Sequence, residues 1–591
     1  MHDSFFFLGG SSPAGILEKK YGPNSGSIIH PAEGGKVYSD GELSLVFTGC
    51  IYSYADPCLP CDSDEEYITA AYRAHGENMF NAFEGKFSLC LYDSAKDCAY
   101  FARDHFGGMP LYWSCGENFA IASAKPSPLA NCGLIEKQIS RAGLCHYFSL
   151  RFIPAPDSIF ENVHALMAGH YIKAQRRGEK MEVSDICYWD VKCESGEMIE
   201  DYDKCRELLR EVLLSSTEYC CIGERNGVYL SGGIDSTIVT GVASTLLGHK
   251  IDSFTIGFNE EAFDESDRAS IAAKAHNTEH HLYILNYDES LEELDKIISG
   301  FDQPFADASA IPTWVINRYA KSLGVDNVLT GDGSDQIFAG SNKYFIRHYV
   351  DKVMKFPKPL RALAKAAVFT LPENSATMRK FRKVFACVDM SDYEMRRRML
   401  QLCLDDGSLS KLLKNDVVDK NSDSIARLYR LNSSITDELT NTLYVDLKVV
   451  ADGGMMTKMG SMSRLAGVQT HMPLMSKSML ELSFRIPPQF KQRGSNGKII
   501  LKDAFSDVIP EELMTASKKG FEPPISTWFR GPLLNDLRAA LAPERLEASG
   551  IFDTAYVNQL IEEHCSMKYN RDTALWALYV FSKWYEKEFG I

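Results

Sequence analysis

Gly227-Val228-Tyr229-Leu230 runs directly into Ser231-Gly232-Gly233-Ile234-Asp235-Ser236, and the apolar stretch Ile238-Val239-Thr240-Gly241-Val242-Ala243 follows. This reads as a strand, a tight turn and the start of a helix. Two glycines let the backbone approach a ligand closely, and the N–H groups of the turn and of the first helical residues then face an anion. Asp235 inside such a turn would repel a bare phosphate, so a divalent cation is expected between its carboxylate and the phosphate oxygens. The turn is built for a magnesium-bound nucleotide, and it calls for an α/β domain to hold it. The bland alternative is an ordinary glycine-rich strand-to-helix turn, and a lone Ser-Gly-Gly would not decide between the two.

Further segments decide it. Ser253-Phe254-Thr255-Ile256-Gly257-Phe258 is followed by Phe263-Asp264-Glu265-Ser266, then by Asp302-Gln303-Pro304 and Ser309-Ala310-Ile311-Pro312. Thr330-Gly331-Asp332-Gly333-Ser334-Asp335-Gln336 comes next, and Lys518-Lys519-Gly520-Phe521-Glu522-Pro523-Pro524 stands near the end. In this order the blocks resemble the PP-loop ATP pyrophosphatases and, more narrowly, the asparagine synthetase family. The resemblance implies ATP and Mg2+ as cofactors, with Asp235 and Asp335 holding the metal. Ser231, Gly232, Gly233, Asp235 and Ser236 would wrap the pyrophosphate, and Leu230, Ile256 and Gly331 would frame the adenosine. Lys518 would set a fixed cation against developing charge. Asp332 stands where the family usually has glutamate, one methylene longer, and would orient metal-bound water or accept a proton from the amine.

The N-terminal third alternates short β-rich runs with turn signals and carries one helical stretch from Glu65 to Ala74. Its segments Glu84-Gly85-Lys86-Phe87 and Arg103-Asp104-His105-Phe106-Gly107-Gly108 resemble the class II glutamine amidotransferase domain. The expected fold is therefore α/β: an N-terminal αββα Ntn-type sandwich over residues 1–195, then a PP-loop parallel-sheet synthetase domain over residues 205–591 with a largely helical C-terminal part.

Departures from the family shape the functional expectation. A glutaminase of this class uses an N-terminal cysteine with its own α-amine as base, whereas this sequence starts Met1-His2 and its first cysteine is Cys50. Asn24 to His30 lacks the glutamine-clamping arginine, and Thr48 replaces the asparagine that helps hold the oxyanion, although Gly49 and Asp64 remain. Cys50 could be offered as a rescuing thiol, but an internal residue has no α-amine beside it. On the acceptor side, five charged family positions have become Gly460, Ser461, Gln469, His471 and Ser476, and Gln336 replaces a glutamate. The expectation is an ATP-dependent, AMP- and pyrophosphate-forming amide ligase whose amine does not derive from glutamine. In that respect it is similar to the β-lactam synthetases and lasso-peptide cyclases of the family. An ammonia-dependent asparagine synthetase with a drifted pocket, or a non-catalytic scaffold retaining the fold, are the alternatives.

Composition supplies the exclusions. A formal net charge of −16 over 591 residues argues against nucleic acid as the main partner. No window approaches the ~18 apolar residues of a membrane span, and the first residues lack a basic signal region, so a cytoplasmic protein without a membrane partner is expected. The expected partners are a small-molecule or peptide carboxylate and an amine; a homodimer stays open. The single CxxC at Cys58 and Cys61 reads as a surface loop rather than a metal site. The basic run Arg396-Arg397-Arg398 reads as a solvated helix face.

Overall fold

The computed structural model describes residues 5–9, 28–30, 37–56, 58–60, 62–191, 198–258, 264–285, 291–371, 376–415, 417, 435, 437–514 and 523–590. Lys518, Cys61 and the segment 24–27 therefore lie outside the described residues.

Among the described residues, eleven strands build the N-terminal lobe: β1 (Phe5–Gly9), β2 (Ile28–His30), β3 (Tyr38–Asp40), β4 (Leu43–Tyr54), β5 (Phe83–Asp93), β6 (Cys98–Arg103), β7 (Tyr112–Cys115), β8 (Phe119–Ser123), β9 (His164–Ala165), β10 (His170–Arg177) and β11 (Lys180–Cys187). They form two antiparallel sheets, ordered β2-β1-β8-β7-β9 and β11-β10-β6-β5-β4-β3. The period of two along a strand explains the layering. On β6, Tyr100 and Ala102 join one core with Tyr67, Ile68 and Tyr72 of α1 (Asp64–His75). The alternate residues Ala99 and Phe101 join a second core with Ala120 and Ala122 of the facing sheet. Phe119, Ile121 and Tyr112 on that sheet's far side pack against Leu144, Tyr147 and Phe148 of the helix Arg141–Leu150. Helix, sheet, sheet and helix are thus stacked in the expected order.

The second lobe begins with α2 (Tyr202–Cys220) and contains β12 (Asn226–Tyr229), α3 (Ile234–Gly241), β13 (Ile251–Gly257), α4 (Ser266–Ala275), β14 (Glu279–Ile284), α5 (Ala310–Ser322), β15 (Asn327–Leu329) and β16 (Gln469–His471). Its sheet runs β14-β13-β12-β15-β16 with every pairing parallel. A parallel sheet is usually covered on both faces; the inner strand β13 is buried along its whole length, whereas the edge strand β14, Glu279–Ile284, is partly exposed and half polar. Phe254 and Ile256 look into one core with Ile311 and Trp314, while Val228 and Leu230 look into the other with Ile238 and Ala269.

Most of the chain beyond residue 340 is helical, as expected. Its last long helix, Asp572–Phe589, places Phe581 and Trp584 in the same core as Tyr147 and Phe148 of the N-terminal lobe. The two lobes therefore share apolar packing. Polar contacts cross the seam as well: Arg103 forms a buried ion pair with Asp452 at 2.6 Å, and Lys86 Nζ donates to the Thr470 carbonyl at 2.9 Å.

Candidate active site

Strand order leaves β12 in the middle of the parallel sheet, with the chain passing first to β13 on one side and later to β15 on the other. A crevice opens at the carboxyl ends of the two strands flanking such a switch point, and ligands bind there. The loops leaving β12 and β15 carry Ser231–Ser236 and Gly331–Asp335, so neighbouring strands bring together two motifs far apart in sequence.

The first loop is held by its own hydroxyls. Ser231 N donates to Ser236 Oγ at 3.2 Å, Gly233 N donates to Ser231 Oγ at 3.3 Å, and Ser236 Oγ donates to the Gly233 carbonyl at 3.1 Å. Gly232 has φ +70°, and a Cβ there would lie 2.6 Å from Ala269 N and Arg268 Cβ, so only glycine fits. A Cβ on Gly331 would lie 2.6 Å from Ser236 N, which shows how tightly the second loop rests on the first. Leu230 and Ile256 are buried at the strand ends, and the Leu230 carbonyl accepts from Thr255 Oγ1 at 2.5 Å. Asp332 sits in the second loop with its N–H donating to Thr330 Oγ1 at 3.3 Å.

Asp235 and Asp335 converge on one point. Lys498 Nζ lies 2.5 Å from Asp235 Oδ2 and 2.5 Å from Asp335 Oδ1. Lys498 adopts a left-handed φ of 57° at the start of the helix Ile499–Ala504, which turns its side chain back toward the two loops. Gly340 makes room for it, since a Cβ there would lie 1.8 Å from Lys498 Cε and 2.2 Å from Asp335 Oδ1. One helical turn on, Lys502 is held below the usual lysine range by burial and by the charge of Lys498, with Asp235 opposing.

Two carboxylates aimed at one cation suit a hard divalent metal. Asp235 Oδ1 is buried without a hydrogen-bond partner among the described residues, as is Ser334 Oγ on the second loop. These residues fit Mg2+, with Asp235 and Asp335 as the side chains that would hold it. Lys498 was not among the residues singled out from sequence. The motif around it, Gly497-Lys498-Ile499-Ile500, carries no signal beyond a lysine beside a glycine.

The N-terminal pocket is arranged differently. Asp64 Oδ2 accepts from Ile51 N at 3.0 Å and Asp64 Oδ1 accepts from Tyr54 Oη at 2.5 Å, so its carboxylate is already engaged. Thr48 pairs with Ser88 within the β4–β5 ladder, and a Cβ on Gly49 would lie 1.9 Å from the Lys86 carbonyl. Burial pushes the Cys50 thiol above its ordinary range, with Lys86 and Tyr52 partly offsetting it, which disfavours the nucleophilic thiolate.

Two of the rewritten acceptor-side positions, Gly460 and His471, face the N-terminal lobe across the seam. A Cβ on Gly460 would stand 3.5 Å from the Gly108 carbonyl, and Ser461 Oγ accepts from Arg464 Nη2 at 3.4 Å. His471 Nδ1 accepts from Tyr52 Oη at 3.0 Å, while burial and the charge of Lys86 push the imidazole down to about 3. Ser476 caps a helix by accepting from Met479 N at 3.2 Å, and Gln469 is exposed on β16. The arginines 396–398 are each set beside an acid: Arg396 with Glu438, Arg397 with Asp406, and Arg398 with Asp405.

The sequence profile described as asparagine synthase matches residues 208–586, and that of a glutamine amidotransferase domain matches residues 27–189. Asparagine synthetase (glutamine-hydrolyzing) 1 of Bacillus subtilis is 25% identical over 575 residues, covering 95% of this chain and 88% of its own. A putative asparagine synthetase (glutamine-hydrolyzing) 2 of Methanocaldococcus jannaschii is 30% identical over 343 residues, covering 55% of this chain and 65% of its own. Amidase chyE of Penicillium rubens is 22% identical over 549 residues, covering 85% of this chain and 79% of its own.

Proposed function

Since this chain belongs to the asparagine synthase family and is an ATP-dependent carbon–nitrogen ligase, we propose that it adenylates a carboxylate and couples the product to an amine not released from glutamine. The observation that carries this reading is the meeting of Asp235, Asp335 and Lys498 at the switch point of the parallel sheet.

In the reaction, a carboxylate oxygen attacks the α-phosphorus of ATP and the bond to the bridging oxygen breaks, releasing pyrophosphate. Negative charge grows on the phosphate oxygens in that step. The turn Ser231–Ser236 is prefolded by its own hydroxyls, and Lys498 brings a positive charge to the same point as Asp235 and Asp335. Bound Mg2+, held by Asp235 and Asp335, would neutralise phosphate charge. The amine nitrogen then attacks the acyl carbon, AMP leaves, and Asp332 is assigned, on the family resemblance, the proton that the nitrogen gives up. Lys518 is assigned to the leaving phosphates on the family resemblance.

Support for a nitrogen source other than glutamine comes from the N-terminal pocket. The carboxylate that would hold the amino group of glutamine is engaged by Tyr54 and Ile51, Thr48 stands at the oxyanion position, and the only thiol on that strand is held protonated by burial. The glutamine-hydrolyzing names of several relatives favour a second reading, an asparagine synthetase acting on aspartate. The amidase-named relatives, at similar coverage, favour divergence in substrate.

Exchange of labelled pyrophosphate into ATP, measured across a panel of carboxylates with Asp335→Ala as the blank, tests the proposal. Exchange with a carboxylate other than aspartate supports it. Exchange with aspartate alone would restore the second reading, and no exchange with any acid would leave a scaffold.

A further inference from the structure

Residues 343–383 hold eleven lysines and arginines and two acids, in a chain whose formal net charge is −16. The segment folds into three helices, α6 (Ile346–Met354), α7 (Lys358–Thr370) and α8 (Ala376–Ala386). Val350 of α6 packs with Cys387 and Met395 in a small satellite core, with Val384 of α8 against it, and α7 adds no residue to that core.

Helix α7 is built inside out. None of its residues is buried. Two of its three cations face inward, Arg361 Nη2 donating to Asp389 Oδ1 at 2.7 Å and Lys365 Nζ donating to the Val388 carbonyl at 3.3 Å, while Lys358 is exposed. Leu360, Leu363 and Ala367, spaced three and four residues apart, share the opposite face and point to solvent. Leu363 is 69% exposed, Leu360 56%, and Phe356 just before the helix 59%. On α8, Phe381 is 51% exposed, beside the exposed Lys380 and Lys383. Contiguous exposed leucine and phenylalanine flanked by cations are costly in water unless something covers them.

We propose that this helical hairpin is an interfacial anchor that lays its apolar face on an anionic lipid surface. Two features select that occupant. Large apolar side chains on short helices flanked by lysine and arginine suit the boundary between acyl chains and headgroups. The local excess of positive charge within an acidic protein gives attraction at this patch and repulsion elsewhere, which fixes the orientation of the molecule on a negative surface. The contact is one of lying on a membrane: among the described residues no helix is long and apolar enough to cross one. Exclusion of a spanning segment therefore leaves this mode untouched. The segment follows the second loop, Gly331–Asp335, in the chain, with α6 beginning at Ile346. The inference stands apart from the identity of the carboxylate.

Flotation of the full-length protein with phosphatidylcholine vesicles, with and without phosphatidylglycerol, tests it. The bound fraction should rise about tenfold with the anionic lipid and fall as salt is raised, since surface attraction is screened. Leu363→Glu should abolish that gain, and Lys380→Glu with Lys383→Glu should do the same. Each side chain is exposed, so all variants should melt with the wild type. Equal binding to both vesicle types would overturn the proposal. So would a dimer in sedimentation equilibrium that Leu363→Glu dissociates, because the face would then serve a second copy, and so would capture by an acidic helical peptide with no gain on vesicles.

Discussion

Two polar centres lie in this molecule, and they differ in what their groups still have to give. At the switch point of the parallel sheet, Asp235 and Asp335 share one ammonium, and Asp235 keeps a buried oxygen without a hydrogen-bond partner among the described residues. In the N-terminal lobe, Asp64 is engaged at both oxygens by its own neighbours. A carboxylate held against a cation can exchange that cation for a metal or a charged substrate, whereas Asp64 already accepts one hydrogen bond at each oxygen and has only its remaining lone pairs to offer. On the proposed reading, retention of a fold and retention of a site are separable within one chain.

The sharpest way to break this comparison is at the converging carboxylates. Asp335→Ala should lower pyrophosphate exchange by ~10³ or more, and Lys498→Met by ~10² or more, because each removes a fixed charge from the closed site. Circular dichroism of both variants should match the wild type; a variant that kept full exchange would remove the residue from the centre.

Gly340→Ala comes next. Its methyl would occupy the space of Lys498 Cε and Asp335 Oδ1, so about a hundredfold loss of exchange is expected with an unchanged Kd for free adenosine. The seam between the lobes should respond in stability instead. Arg103→Met strands the buried Asp452 carboxylate, and urea titration should show a loss of about 3–5 kcal/mol.

A smaller effect belongs to pH. His471 is neutral in the fold, its pKa pushed down to about 3 by burial and then by Lys86, whereas an unfolded histidine titrates near ~6.5. A basic group depressed in this way binds fewer protons folded than unfolded. Its stabilising contribution is complete above the unfolded value and is lost as pH falls from ~6.5 toward the folded one. Denaturant titrations between about pH 7 and about pH 5.5 should show His471→Gln losing about 1 kcal/mol less than the wild type. The smallest effect is the most pointed: Asp64→Asn should change amide formation with a supplied amine by less than about twofold, because the account gives this carboxylate no part in the chemistry.

Much of this arrangement was legible in the sequence, for identifiable reasons. Strand, turn and helix around Ser231–Ser236 are local, so the residues alone gave that unit, whereas the second loop at Gly331–Asp335 was read from the family resemblance. The four layers of the N-terminal lobe follow from strands that are apolar on both faces, as in Cys98–Arg103. Lys498 was not legible, because its contact with Asp235 closes over 263 residues and depends on a left-handed backbone at a lysine. The seam was equally hidden: the positions where charges had been lost were visible, but that Gly460 and His471 face the other lobe comes from packing alone. The basic run 396–398 drew notice in the sequence, yet each of its charges has an acid beside it, while the outward apolar face of α7 emerges only when helices are placed.

The central claim is that the adenylation centre works while the N-terminal pocket releases no ammonia. Counting AMP and glutamate in one incubation with ATP, the accepted carboxylate, glutamine and a free amine tests it most directly. The account predicts AMP accumulating with amide and no glutamate above the enzyme-free control; glutamate formed in step with AMP would contradict it.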